Sequence, residues 1–320
     1  MKRWIGLGIA VAVGGSASAL AQDYPARPVR AIVPAAAGSA TDTVARVFGR
    51  KMGELLGQPI VIENRLGANG VIGAEFVAKS APDGYMLLFS TNGPNATATT
   101  IMKSVPYDPF RAFTPVTLLG ALPQVFLVSV GSPHRSLADV VAFARANPGK
   151  LPFASSNSVQ RVSVEALSSM AGVKMLNVPY KSSPQAMTDL IAGEVGLYVA
   201  DMIIALPQIK AGKVRPLAVT TMQRTSGLPE VPTVAEAANV PGYELTGIFA
   251  LFGPAGLAPA IVAKLNAAAV KAAGDPEVRT PLGALGVEIV TSSPEGLTKR
   301  FREELAVWTK VTRDAGMEPE

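Results

Sequence analysis

The sequence predicts an α/β protein of two domains with a ligand cleft between them, and three observations carry that prediction. Short apolar runs alternate with stretches whose apolar residues recur at helical spacing, the pattern of a parallel sheet covered by helices. The alternation starts again after Val116. Two amphipathic helical stretches are left over at the carboxyl end, so the chain leaves a first unit, builds a second and returns.

Val29 to Val33 is the first strand. From Thr41 the residues Val44, Phe48, Met52 and Leu55 fall on one helical face, with Ser39 or Thr41 as N-cap and Gly57 as stop. Ile60 to Ile62 is a short buried strand, followed by a loop from Asn64 to Gly70, a helix over about 70–80 and a strand from Met86 to Ser90. In the second unit Gln124 to Val130 is a strand. Ser136 caps a helix whose inner face is Leu137, Val140, Val141 and Ala144, and Asn147-Pro148-Gly149 ends it. Strands near 151–155, 175–179, 195–200 and 214–220 follow, with helices near 161–171 and 184–192 between them. Proline and glycine crowd 227–242, and Tyr243 to Phe252 reads as an extended crossing. The last helices cover about 259–273 and 294–314, the latter with Leu297, Phe301, Leu305, Trp308 and Val311 on one face. Crossings near 118–124 and 244–250 divide the chain into a first domain of residues 22–123 plus 247–320 and an inserted second domain of residues 124–246.

Composition narrows the function classes. An apolar share of 48% with 17% charged residues excludes a disordered chain. The net charge of +5 has no basic run behind it. Two of those charges, Lys2 and Arg3, lie in a segment expected to be removed, so there is no electrostatic case for nucleic acid as a partner. That segment reads as an export signal over residues 1–21. Lys2 and Arg3 open it, Trp4 to Gly15 is uncharged and apolar, and Ala19-Leu20-Ala21 places cleavage before Gln22. No later segment is long and apolar enough to span a bilayer. The chain has no cysteine, which excludes thiol catalysis and cysteine metal sites.

Ligands of such folds sit beyond the carboxyl ends of the strands, so the strand-to-helix junctions are the candidate site. The first is VPAAAGSATDTVAR, residues 33–46, where small residues precede a helix start. A helix start offers unpaired N–H donors and partial positive charge, which suits a carboxylate or phosphate. Gly38, Ser39, Ala40, Thr41 and Asp42 are its candidates, with Asp42 expected to cap or brace the loop. The second is FASSNSVQRVSVEAL, residues 153–167. It contributes Ser155, Ser156, Asn157 and Ser158, together with Arg161, a cation in a first helical turn whose cost a bound anion would offset. The third is VPYKSSPQAM, residues 178–187, with Ser182 and Ser183 ahead of Pro184 and Lys181 read as a surface charge. Thr91 and Asn92, just past the strand at 86–90, join the set. Each junction also reads as an ordinary capped turn, and Arg161 as a solvated side chain. The agreement of three junctions is the stronger signal.

Little points to catalysis. His134 is the single histidine, in a turn, and no serine has a G-x-S-x-G setting. There is no H-E-x-x-H, EF-hand loop or Walker motif, and GANGVIG at 67–73 lacks dinucleotide-loop spacing and reads as a turn. The expectation is a chain that is not an enzyme, with no cofactor and no metal.

Several blocks carry a family resemblance. YPARPVRAIVP, VPAAAGSATDTVAR, GQPIVIENRLGANGVIGAEFVAKSAPDGYMLLFST and VPYDPFRAFTPVTLL follow in order. NVPYKSSPQAMTDLIAGEV, LPQIKAGKVRPLAVTT, LPEVPTVAEA and ALFGPAGLAPAIVAKLNAA come later. Together they resemble the tripartite tricarboxylate transporter substrate-binding proteins, the Bug family, over about residues 24–316. The resemblance implies a periplasmic solute-binding protein of type II-like α/β fold, its cleft between domains joined by crossing strands. It implies a small carboxylated solute gripped by backbone N–H groups, hydroxyls and ordered water. It also implies handover to a two-component inner-membrane permease by a monomer in transient contact. Asp201 matches an acidic position that ends a strand at the cleft. The chain departs from the family in its loops. The first loop of the family reads Pro-Phe-Pro-Pro-Gly-Gly before a Thr-Asp pair, where this chain has Pro34-Ala-Ala-Ala-Gly38-Ser39-Ala40-Thr41-Asp42. The second is shorter here and has Arg161 in place of a histidine, and the third has Lys181-Ser182 for Lys-Gly. Two other functions fit the same cleft: a receptor that reports its ligand to a signalling partner, and a periplasmic enzyme.

Overall fold

Along β1 (Val29–Val33) every residue but Arg30 is buried. The pleat sends Val29, Ala31 and Val33 to one apolar cluster and Ile32 to the other. A strand apolar on both faces requires helices on both sides of its sheet. The computed structural model, which describes residues 24–225, 227–317 and 319, meets that requirement twice. The leader expected at residues 1–21 lies outside the described residues.

The first sheet has the order β2-β1-β3-β10-β4, built from β1, β2 (Ile60–Asn64), β3 (Met86–Thr91), β10 (Gly247–Pro254) and β4 (Phe113–Leu122). The second sheet is built from β5 (Gln124–Ser129), β6 (Pro152–Ser155), β7 (Leu176–Pro179), β8 (Leu197–Asp201) and β9 (Val214–Val219). Its order is β7-β6-β8-β5-β9, the same pattern. In each, three strands run parallel and the crossing strand, β10 or β5, runs antiparallel to both neighbours. The sheets are therefore mixed, where strand–helix alternation alone suggests parallel ones. Pro123 alone separates β4 from β5. The return from β9 to β10 takes residues 220–246, fastened where Leu245 N–H donates to Thr220 O (2.9 Å) and Tyr243 Oη to Ser163 O (2.8 Å).

Helices cover the sheets as the apolar spacing demands. α1 (Ala40–Leu56) buries Val44, Phe48 and Met52, is capped by Ser39 and ends at Gly57 with φ 75°. α2 (Val71–Ala78) lies on the opposite face, where Ala74 and Val77 join the cluster of Ile32 and Leu88. A π-helical turn, Gly93–Thr97, and the short α3 (Ala98–Ile101) follow β3. α4 (Leu137–Ala146), α5 (Ser158–Ala171), α6 (Ser183–Ala192), α7 (Met202–Lys210) and α8 (Val234–Ala238) belong to the second sheet. α9 (Pro259–Gly274), α10 (Pro276–Ala284) and α11 (Pro294–Asp314) return to the first. α11 buries Leu297, Phe301 and Trp308, each contributing about 1.5–3 kcal/mol by removal of apolar surface from water. Sequence periodicity misses α7 and α10, because Pro207 and Pro281 sit inside them. It also starts α5 too late, because Asn157 is the cap, its Oδ1 accepting from Gln160 N at 3.0 Å. Among the described residues no helix is long and apolar enough to cross a membrane.

Gly73 shows how closely α2 is set against the first junction. A Cβ there would stand 2.7 Å from Arg65 O and 3.0 Å from Pro34 Cβ. Gly73→Ala is expected to cost about 1–3 kcal/mol through overpacking and to lower the melting temperature. Gly131→Ala, with no atom within 4 Å of the added carbon, is the matched control and should melt near wild type.

Candidate functional site

The carboxyl ends of all six parallel strands open onto one cavity of about 420 Å³. Pro34–Ala36 follow β1, Leu66–Gly70 follow β2, and Thr91 ends β3 ahead of Asn92–Pro94. On the other side Ser156 and Asn157 follow β6, Tyr180–Ser183 follow β7, and Asp201 ends β8. The starts of the two crossing strands, Gln124 and Gly247–Phe249, complete the wall. This volume suits a small organic solute.

Three helix starts with side-chain caps meet there. Ser39, Asn157 and Ser182 are the N-caps of α1, α5 and α6, and all three line the cavity. Each cap side chain accepts the N–H three residues on: Asp42 N at 3.3 Å, Gln160 N at 3.0 Å and Gln185 N at 3.4 Å. The N–H groups of Ala40 and Thr41, the first two of α1, have no partner within the helix by its geometry and lie on residues that line the cavity. The arrangement therefore presents main-chain donors and the positive ends of three helix dipoles to one small volume.

Buried polar networks hold these starts in place. Asp42 is 3% exposed, with its carboxylate turned to the loop. Oδ2 accepts from Gly38 N (2.9 Å) and Arg46 Nε (2.9 Å), and Oδ1 accepts from Asn64 Nδ2 (2.9 Å). Burial alone would raise its pKa, but the Arg46 guanidinium, the Gly38 N–H and the Asn64 amide together hold it below the usual carboxylate value. In the second unit Gln160 Oε1 accepts from Ser156 N (2.8 Å) and Ser156 Oγ (2.9 Å), while its Nε2 donates to Tyr198 Oη (3.1 Å). Ser156 Oγ and Ser183 Oγ lie 2.8 Å apart, so the starts of α5 and α6 are tied together. Burial pushes the Tyr198 hydroxyl up to about 12, which keeps it neutral. A third network reaches the cavity from the C-terminal helix: Glu304 Oε2 accepts from Trp308 Nε1 (2.8 Å) and Asn92 Nδ2 (3.1 Å).

Asp201 is the acidic residue of the cavity wall. Gln124 Nε2 donates to its Oδ1 at 3.1 Å, and Gln124 Oε1 in turn accepts from Ser163 Oγ at 2.9 Å. Burial raises the Asp201 carboxyl to about 6, the Gln124 hydrogen bond offsetting part of the effect.

Ten of the candidate residues therefore line the cavity: Ser39, Ala40, Thr41, Thr91, Asn92, Ser156, Asn157, Ser182, Ser183 and Asp201. Five do not. Gly38 and Asp42 bond to each other behind the loop. Ser155 Oγ donates to Asn177 Oδ1 (2.6 Å) within the sheet, and Ser158 is buried at 1% exposure where α5 meets Gly93. Arg161 sits two positions beyond Val159, which lines the cavity, and so roughly 200° around the helix from it. Residues that the sequence reading left out also line the wall. They include Leu66–Gly70, Pro94, Tyr180, Gln124 and Gly247–Phe249, together with Lys181, which is exposed yet borders the cavity. The rule that ligands meet strand ends would have found Leu66–Gly70 once the strand at 60–64 was placed. Among the described residues no group of side chains has the make-up of a metal site.

Two mixed sheets of this order, facing each other across a cavity at their strand ends, define a two-lobed solute-binding protein. Comparison with known proteins then fixes the family. Residues 44–317 match the family described as tripartite tricarboxylate transporter family receptor, and the chain belongs to it. It is 35% identical to the protein BugT of Bordetella pertussis, over 97% of this chain and 96% of BugT. Among solved structures, R. palustris Rpa4515 with adipate is 36% identical, with a TM-score of 0.90 over 93% of this chain and all of that one. MatC from Rhodopseudomonas palustris with bound malate is 34% identical, with a TM-score of 0.86 over 90% of this chain and 99% of that one. The periplasmic binding protein BugD is 31% identical, with a TM-score of 0.88 over 93% of this chain and 100% of that one.

The Asp42 network makes a prediction with a defined pH window. Because its pKa is lowered in the fold, its charge stabilises the protein fully above the unfolded value near 3.8, and this is lost as pH falls through the folded value. Asp42→Asn is expected to lose about 1–3 kcal/mol at pH 7, from hydrogen bonds to a charged group. The gap to wild type should narrow when melting is repeated near pH 3. A gap that does not change with pH would assign the loss to packing.

Proposed function

We propose that this protein is exported to the periplasm and captures a small carboxylated solute in the cavity. It then delivers the solute to the two-component permease of a tripartite tricarboxylate transporter. The observation that carries the reading is the meeting of three helix starts, with main-chain donors at Ala40 and Thr41, in one cavity of about 420 Å³. The adipate and malate in the two related structures are carboxylates and support it. The capture role does not call for an enzyme: the wall holds no histidine or cysteine, and its serines lie beside no imidazole base. In this reading residues 22–123 with 247–320 form one domain and residues 124–246 the other, and the solute closes them by touching both.

Ala40→Pro tests where the carboxylate binds. Ala40 is the first residue of α1, a position proline favours, and Ser39 before it is already extended (φ −71°, ψ 167°), as a following proline requires. The substitution removes one donor at a position whose backbone accepts proline, and because Ala40 is buried the melt of the free protein is the control for packing of the ring. With the solute identified by native mass spectrometry, melting should stay near wild type while affinity falls by about tenfold or more. Unchanged affinity would place the carboxylate elsewhere. Closure has its own test: small-angle scattering should give a smaller radius of gyration with the solute bound, and an equal radius at saturation would reject a hinged receptor.

A further inference from the structure

The cavity wall presents acceptors as well as donors, and the capture of a carboxylate does not use them. Asp201 is the N-cap residue of α7, a position where aspartate ordinarily accepts a helical N–H, yet its side chain makes no cap hydrogen bond. The carboxylate belongs instead to the cavity, where it accepts from Gln124 Nε2 alone among the described side chains. No ion pair joins Asp201 to a cation among the described residues, although Lys181 borders the same cavity. Asn92 supplies a second acceptor. It is fully buried and lines the cavity, and its Nδ2 donates to Glu304 Oε2 and Thr246 O. Those two acceptors fix the amide's orientation, so Oδ1 is the end left without a donor.

A buried acceptor without a donor is costly, and a carboxylate without a cation more so. A solute that carried only anionic groups would worsen the position of Asp201 by like-charge repulsion. A hydroxyl or ammonium group would relieve it. Resting on the carboxylate-receptor reading above, we infer that the solute bears, besides its carboxylate, a hydrogen-bond-donating hydroxyl or ammonium group that binds Asp201. The two ends of the cavity wall then have complementary tasks: the starts of α1, α5 and α6 for the anion, and the β5–β8 junction for the donor. The raised pKa of Asp201 is consistent with a carboxylate short of partners until such a group arrives.

The test uses the mature chain and two matched sets of probes by calorimetry: succinate, malate and aspartate, and butyrate, 4-hydroxybutyrate and 4-aminobutyrate. In at least one set a donor-bearing member should bind about tenfold or more tighter than its unsubstituted parent. Asp201→Ala should bring that ratio close to one. Asp201→Asn keeps an acceptor without the charge. It should retain a preference for hydroxyl and lose one for ammonium, and it serves if the alanine variant does not fold. Parents that bind as tightly as their substituted counterparts overturn the inference and leave the carboxylate reading standing. A preference that survives both substitutions also overturns it. A folded chain that binds none of the six probes overturns the inference together with the reading it rests on.

Discussion

Because β5 and β10 run against their sheets, each begins at the edge where its parallel neighbours end. That single constraint organises the molecule. Gln124, the first residue of β5, pairs with Asp201, the last of β8, and Phe249 near the start of β10 pairs with Thr91 at the end of β3. Both passages of the chain between the sheets therefore run through the carboxyl edge. The six parallel strand ends are brought face to face, with the crossing strands between them. Had either crossing strand entered from the opposite edge, the helix starts would face away from each other.

The chemistry of the cavity follows from that placement. Main-chain groups at helix starts carry the donors, so the side chains there are free to be small, as Ala35, Ala36 and Ala40 are. Precision has to come from behind. Asp42 fixes the first loop through Gly38, Arg46 and Asn64, and Gln160 fixes the second through Ser156 and Tyr198. Asn92 is oriented by Glu304, a residue of the C-terminal helix far away in sequence. The site is thus built from main-chain donors on a scaffold of buried, hydrogen-bonded side chains, with Asn92 Oδ1 as an acceptor left open.

Most of the fold was legible in the sequence because it is written in local patterns. Val29–Val33 reads as a strand, and the face of α11 reads directly from Leu297, Phe301 and Trp308. Ser39, Ser182 and Gly57 mark helix ends by their own chemistry. What remained illegible depends on contacts distant in sequence or on proline. α7 and α10 carry internal prolines that read as breaks, and the antiparallel entry of β5 and β10 leaves no local mark. Within the site, the junction residues were visible because each sits beside its own helix start. Gln124 and Gly247–Phe249 were not, since only the pairing of the crossing strands brings them to the cavity. Arg161 differs from them: it lies in a first turn as expected, but helical angle sets it off the cavity wall.

The join at Pro123 limits how the two sheets can move. One residue lies between β4 and β5, and its ring fixes its own φ, which stiffens that crossing. The other crossing is as short, because Leu245 is still bonded to Thr220 and Gly247 already begins β10, where it pairs with Leu122 at the end of β4. Two short crossings side by side leave few ways for one unit to shift against the other. In the capture reading, such a pair opposes sliding of the lobes and favours bending about the line through both crossings. Kinematically the two crossings make a short hinge pin, about which the jaws of a capturing receptor would retrace one arc and return their facing helix starts to the same registration.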